Sequence, residues 1–314
     1  MATYTSSTAI GEREDLSDVI YRIDPDETPL VSNSQKETTK GIFHEWQVQE
    51  LAAAVDTNYV NEGADYSYAN PSPTTRLGNY HQISVQAASV SNTLDVVDKA
   101  GRDKETAYVK VLKGLEQRRD IEKSLFKNEA RSASDPRKAA KLITWITNVD
   151  KPSDMAAATG DGSDAADLTG TAAALTLAKI DAAMLAAYTD GGSPNMLLMS
   201  PTNKQNFSGL SSGSVSTNQI TYTAPREASI IGSVSLYLSD FGELSVTVDR
   251  QCPNSEMYLI DTDYVCLGSL PGRMFSVSDV ASTGDATKFA IVSEWTLIVK
   301  APKAHAAVIG LNGS

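Results

Sequence analysis

Apolar residues in this chain repeat with a helical period in some stretches and a strand period in others. The switches between the two periods outline the elements. Leu16, Val19, Ile20 and Ile23 fall at i, i+3, i+4 and i+7, one stripe of a short helix over residues 12–23. Asp24-Pro25 stops that helix, and Thr28-Pro29 keeps the chain extended as a strap. In "GIFHEWQVQEL" the period becomes two: Ile42, Trp46 and Val48 share one face, while Phe43, Glu45, Gln47 and Gln49 share the other. "YHQISVQAASV" repeats the alternation, with Ile83, Val85 and Ala87 opposite Tyr80, Gln82, Ser84 and Gln86. The intervening residues, such as "NEGADYSYANPSPTT", are rich in turn formers. The pattern predicts a long two-stranded finger, which is marginal alone in water, so either the strand assignment is wrong or the finger rests on something outside its own domain.

A helical stripe returns with Val97, Ala107, Tyr108, Val111, Leu112, Leu115, Ile121, Leu125 and Phe126. Continuous over 94–131, it makes a spine roughly 57 Å long under a sheet. Its apolar positions keep no heptad, so it is not a coiled coil. "KLITWITNV" reads as a strand, and "SDMAAATGDGSDAADLTGTAAALT" as an exposed loop. Residues 177–188 read as a helix behind a Thr176 cap, with Ile180, Met184, Leu185 and Tyr188 on the buried side. "NMLLMSP" reads as a buried strand, and Pro201 opens a further helix. From Ser229 onward strands follow: "SIIGSVSLYLSDFG", a hairpin "ELSVTVDRQCPNSEMYLID", "YVCLGSL", "RMFSVSDV" and the long "TKFAIVSEWTLIVKAP", entered through Gly284-Asp285. Helices and strands segregate along the chain, so the fold class is α+β.

With 314 residues the chain has ample length for a buried core. Its net charge of -12 argues against a nucleic-acid grip through the whole surface and against an anionic membrane surface as partner. No apolar run is long enough to span a bilayer, and the N-terminus has no signal-peptide pattern. Cys252 and Cys266 read as reduced strand residues, and the scattered histidines and cysteines give no metal spacing and no cofactor site.

Catalytic motifs are sparse. No phosphate-cradling glycine loop occurs. "DGSDAAD" resembles a calcium loop but lacks the sixth-position glycine and the final glutamate, so it reads as a solvated acidic loop. Residues 209–213 match G-x-S-x-G, and a serine-hydrolase alternative would use Ser211 as nucleophile, His305 as base and Asp261 or Asp285 as orienting acid. The motif carries that meaning only on a strand–elbow–helix turn, and its flanks, polar before and extended after, favour a loop. Trp46, Trp145 and Trp295 read as packing anchors, and Arg118 and Arg119, beside Glu116, Asp120 and Glu122, as a solvated ion-paired face or a contact for an acidic patch on a neighbouring copy.

The segments "DLSDVIYRIDPDETPLVS", "FHEWQVQEL", "NEGAD", "RLGNYHQISVQAASVSNT" and "ASTGDATKFAIVSEWTLIVKAPKAHAAVIGL", in this order and spacing, resemble the major capsid proteins of tailed bacteriophages nearly end to end. Their Hong Kong 97 phage-type fold is shared with encapsulin shells. The resemblance implies an N-terminal arm over 1–41 and an extended E-loop over 42–93. A P-domain spine helix and following loop would occupy 94–175, and an α/β A-domain 176–280. The long P-domain strand would occupy 281–302, and a return strand 303–314. It implies a homo-oligomer of identical subunits in pentamers and hexamers. These form an icosahedral virion shell, assembled in the host bacterial cytoplasm, that encloses double-stranded DNA without sequence-specific binding. Arm and finger then lie on neighbouring copies, with Leu16, Val19, Ile20, Ile23, Pro25, Pro29, Trp46, Arg76, Arg118 and Arg119 as interface candidates; the alternative is an arm folded back on its own spine helix, and both can hold at different lattice positions.

This chain departs from relatives that cross-link a finger lysine to an asparagine. Residues 41–98 contain no lysine, so such a bond cannot form, and burial, strand pairing and a decoration protein are the expected substitutes. The arm begins almost at Met1, so a separate scaffolding protein is expected beside the portal. The Trp46→Ala change is expected to damage assembly more than subunit folding, because the finger is expected to lie outside the core. A non-shell phage structural protein is the remaining reading.

Overall fold

The structure, a computed structural model, describes residues 24–25, 27–66, 68, 70–213 and 235–312. One long strand near the C-terminus, β12 (Ala286–Val299), gathers partners from across the chain. Strands β10 (Val265–Ser269) and β11 (Ser276–Val280) pair with it antiparallel, and so does β4 (Gln82–Ser91), from Ser91↔Ala286 to Gln82↔Trp295. The short β1 (Gln35–Thr38) joins β10 in parallel. Gly284 at φ 93 supplies the reversal into β12 that "STGDAT" predicts.

The spine is shorter than its stripe suggests. A short helix α2 (Asn92–Val96) ends, Gly101 turns at φ 79, and α3 (Glu105–Leu125) begins beyond it. Asp95 Oδ1 accepts the Thr106 backbone N–H across the break, at 3.0 Å. Helix α3 rests on β4 and β12, where Gln117 Nε2 donates to Ser84 O at 2.7 Å and to Ile291 O at 3.2 Å.

A second, six-stranded sheet runs β5 (Asn148–Asp150), β13 (Ala306–Ile309), β9 (Glu256–Ile260), β6 (Met196–Met199), β8 (Gly242–Val248), β7 (Leu236–Ser239). Helices α4 (Leu177–Thr189) and α5 (Pro201–Gly213) belong to this lobe. Leu197, Met199, Leu259 and Val308 pack with Ile180, Met184 and Phe207 on one face. Leu198, Tyr258, Ile260 and Ile309 pack on the other with Leu125, Phe126 and Trp145. Burial on both faces explains the unbroken apolar run "MLLM".

Several expectations change on contact with these pairings. Residues 80–90 are not the finger's second strand. That strand is β3 (Thr75–Tyr80), paired with β2 (Phe43–Val48), while β4 belongs to the large sheet. The apolar face of β4 is the solvated one: Ile83 and Val85 are exposed. The polar face meets the interior, with Gln82 accepting from Lys141 Nζ, Ser84 from Trp295 Nε1, and Gln86 donating to Asp120. "LITW" forms a 3-10 turn, and only 148–150 is strand. β8 and β9 make no hairpin, because β6 lies between them and pairs with both. The loop after residue 153 is not wholly exposed: Met155, Ala158, Ala166 and Leu175 are buried. On α4 the buried set is Ile180, Ala183, Met184 and Ala187, with Leu185 and Tyr188 outside. Thr176 precedes α4 without a side-chain cap bond. Cys266 is a strand residue, Cys252 lies in the turn after β8, and both are buried free thiols.

Candidate assembly interface

The finger is firmly rooted, and its described tip residues are exposed. Its two strands run in register from Phe43↔Tyr80 to Val48↔Thr75. At the root the Phe43 and Tyr80 rings lie 4.5 Å apart, and Gly78 leaves room for them; a Cβ there would sit 2.6 Å from Phe43 Cζ. Thr39 Oγ1 and His81 Nε2 are 2.7 Å apart, and His81 Nδ1 lies 3.1 Å from Ile42 O. Asn79 is fully buried. Its Nδ2 donates to Leu297 O at 2.8 Å and Ala140 O at 3.2 Å, and its Oδ1 accepts the Ala140 N–H at 2.8 Å. Truncation at Asn79 removes the partner of two buried carbonyls and of two amides, those of Ala140 and Tyr80. Asn79→Ala is therefore expected to lower stability by roughly 2–4 kcal/mol, read from the denaturant midpoint.

Trp46 is half-buried on β2 and packs on Trp145 at 5.2 Å between ring centroids. It is therefore an anchor of the finger on its own subunit's core. The expectation that Trp46→Ala damages assembly more than folding rested on a finger lying outside the core, and this contact contradicts that premise. Beyond Val48 the loop 49–74 leaves the body. Leu51 is 98% and Tyr68 92% exposed, and Val55, Tyr59, Val60 and Tyr66 are exposed too. So are Glu50, Asp56, Glu62 and Asp65. Glu50 pairs with Lys303 at 2.7 Å near the loop's base.

The strap's end is not extended: Pro29 opens a short helix, α1 (Pro29–Asn33), and Pro25 is half-buried ahead of it. Leu30 and Val31 are buried in the core. Arg118 Nη2 donates to Ser32 Oγ at 2.7 Å, so this guanidinium binds its own chain's arm root. Arg119 is half-buried on the same helix. Arg76 lies 3.8 Å from Glu45 on the finger, largely exposed. Leu16, Val19, Ile20 and Ile23 lie outside the described residues.

Sequence reasoning missed Glu122. It reads as part of a charged surface, yet it is fully buried, and its carboxyl accepts the Leu30 N–H at 2.6 Å and the Val31 N–H at 2.8 Å. No periodic signal marks it, since its neighbours Ile121 and Lys123 suit a surface helix equally well. The exposed Ile83–Val85 face was visible as an alternation, but its side of the sheet was not.

The hydrolase arrangement lacks its scaffold. Ser211 lies within helix α5, not on a strand–elbow–helix turn. His305 is fully buried, its Nδ1 accepts the Asp261 N–H at 3.1 Å, and burial pulls its pKa down to about 4. An acceptor at Nδ1 is the reverse of the donor to a carboxylate that a triad histidine needs. Asp285 instead accepts from Asn92 Nδ2 at 2.7 Å. Asp161 accepts from Thr159 and Ser163 within its own loop. Among the described residues no group of histidine, cysteine or acidic side chains could hold a metal, and no helix is long and apolar enough to cross a membrane.

A rooted finger, a spine helix under a sheet, and an α/β lobe closed by the C-terminal strand define the Hong Kong 97 phage-type capsid fold. The capsid asymmetric unit of cyanophage A-1(L) superposes with a TM-score of 0.68, at 15% identity, over 98% of each chain. The SrpI encapsulin of Synechococcus elongatus superposes with a TM-score of 0.58, at 10% identity, over 100% of this chain and 98% of that one. The model of the SU10 major capsid protein family matches residues 2–312, and the chain belongs to that family. The major capsid protein of Escherichia phage Phieco32 is 31% identical over 122 residues, 39% of this chain and 35% of that protein. That match spans about a third of the relative's length.

Proposed function

We infer that copies of this chain self-assemble, as pentamers and hexamers, into the icosahedral shell of a tailed phage and enclose its double-stranded DNA. The observation that supports this best is the loop 49–74. It exposes six large apolar side chains that its own subunit leaves in water, among acidic residues and no lysine. Isolated exposed apolar residues are ordinary, but a concentrated set on a projecting loop marks a contact surface. The neighbour's basic spine residues, Arg119 and Lys123 among them, complement the loop's charge. Residues 1–41 serve as the arm and 42–80 as the E-loop. β1, β4, α3 and β10–β12 form the P-domain, and the six-stranded lobe forms the A-domain at the capsomer axes.

Without a finger lysine, the shell is held by non-covalent contacts alone. Purified protein is expected to give closed particles in negative-stain microscopy and sedimentation. Boiling those particles in detergent is expected to return only monomer bands. Rings or monomers without shells would assign the chain to a non-shell phage component, and ladders of covalent oligomers would overturn the uncross-linked lattice. Assembly in the host cytoplasm, with a scaffolding protein, a portal and a decoration protein, completes the reading. The chain's net negative charge keeps it from adsorbing the packed DNA.

A further inference from the structure

The root of the N-terminal arm, the spine helix and the α/β lobe meet at one buried point. Glu122, from α3, accepts the backbone N–H groups of Leu30 and Val31 on its two carboxyl oxygens. Its other partner is Asp249, at the end of β8, itself buried. Asp249 Oδ1 accepts the Gln251 N–H at 2.7 Å, while its Oδ2 is buried and accepts from no N–H or hydroxyl among the described residues. Two carboxyl groups side by side, with only acceptors between them, cohere through a proton.

We propose that the Glu122–Asp249 pair is a proton-held latch that fastens the arm root to the α/β lobe, and that losing the proton loosens the arm root. Glu122 then accepts two amides from α1 and donates its own proton to Asp249. Deprotonation replaces the donor with a second negative charge in a dry site. The groups around it deepen the repulsion. Glu256 on β9 is fully enclosed and hydrogen-bonded by the Tyr258 hydroxyl, and Cys252 is a buried thiol in the connecting turn. Arg118, one turn back on α3, spends its guanidinium on Ser32.

The titration values fit this geometry. Burial, with Asp249 beside it, raises the Glu122 carboxyl from 4.5 to about 8. Burial raises Glu256 to about 7. Burial, then the nearby carboxylates, raises the Cys252 thiol well above its ordinary value, and burial raises the Tyr258 phenol likewise, so neither ionises in this window. A folded-state value above the unfolded one means the folded chain binds more protons between the two. Stability from this site is therefore complete below about 4.5 and is lost as the pH rises toward about 8.

The test is amide hydrogen exchange of residues 28–34 in the full chain, corrected for the intrinsic pH dependence of exchange. Between pH 6 and pH 9 the protection factor is expected to fall at least tenfold in the wild type. In Asp249→Asn, whose amide donates to an ionised Glu122 and keeps both amide contacts, it is expected to change less than twofold. An equal fall in Asp249→Asn, or a flat wild type, overturns the latch. Should Asp249→Asn not fold, infrared difference spectra decide: wild type is expected to lose a protonated-carboxyl band over this range, and Glu122→Gln to lack that component. Identical spectra for the two overturn it. The reading concerns the subunit alone and does not depend on shell formation.

Discussion

Replacing residues 49–74 with an Asn-Gly turn is expected to abolish particles while leaving the subunit folded. Val48 and Thr75 are directly paired at the end of the finger ladder, so a two-residue reversal can close it. The deleted loop contributes Leu51, Val55, Tyr59, Val60, Tyr66 and Tyr68, all exposed, so the subunit loses no core. Among the described residues its loss to the subunit includes the exposed Glu50–Lys303 pair, worth about 0–1 kcal/mol, and the exposed Thr74 hydroxyl bond to Gln47. In a lattice the same side chains count differently. Full burial of one such residue contributes roughly 1.5–3 kcal/mol, and symmetry repeats that gain at every copy. Sedimentation and electron microscopy beside a thermal melt separate the two effects. Normal shells from the shortened protein would remove the finger from the assembly argument.

The largest effect on the subunit itself is expected at Trp145. This indole is fully buried, carries Trp46 at 5.2 Å, and presses so close to Gly162 that a Cβ there would sit 2.7 Å from its ring. It stands where the finger root, α3 and the α/β lobe share one core. Trp145→Ala should cost roughly 3–5 kcal/mol, a large part of the roughly 5–15 kcal/mol that holds a typical domain together. Trp145→Phe should cost less than half as much, because the Nε1 hydrogen has no partner among the described residues. Chemical denaturation of the unassembled chain measures both. Trp46→Ala is expected to fall between them, since its ring is only half-buried.

Local patterns were legible where they depend on local physics. The α4 helix, the buried run of β6, Pro201 opening α5, and the turn at Gly284 all follow from period and turn chemistry. Pairings across the chain were not. β4 alternates as a finger strand would, and nothing in its own residues says that its partner lies in β12. Its inverted faces have a physical reason: beneath α3, Ser84 Oγ accepts from Trp295, Gln86 donates to Asp120, and Gln117 donates to the Ser84 and Ile291 carbonyls, so polar groups fill a space that apolar groups usually take. The break before α3 spans residues 97–104, with Val97 and Lys104 extended and Gly101 in a left-handed turn, although the apolar stripe runs on through it. Glu122 was illegible because a charged residue on a charged helix is normally wet, and only the arm root folding over it makes it dry. The lack of regular structure in the loop 49–74 was readable, because its composition is rich in turn formers.

Strand β12 has a consequence for how the protein is made. Its bond partners include Ser84, whose hydroxyl meets Trp295, 211 positions later in the chain. During synthesis β4 therefore emerges from the ribosome long before its only antiparallel neighbour among the described strands exists. Such delayed closure slows maturation of the nascent polypeptide and leaves a sticky edge open to sister chains. Overproduction at high temperature should divert this coat subunit into inclusion bodies, and slower translation in the cold, or holding by a chaperone, should return it to soluble form.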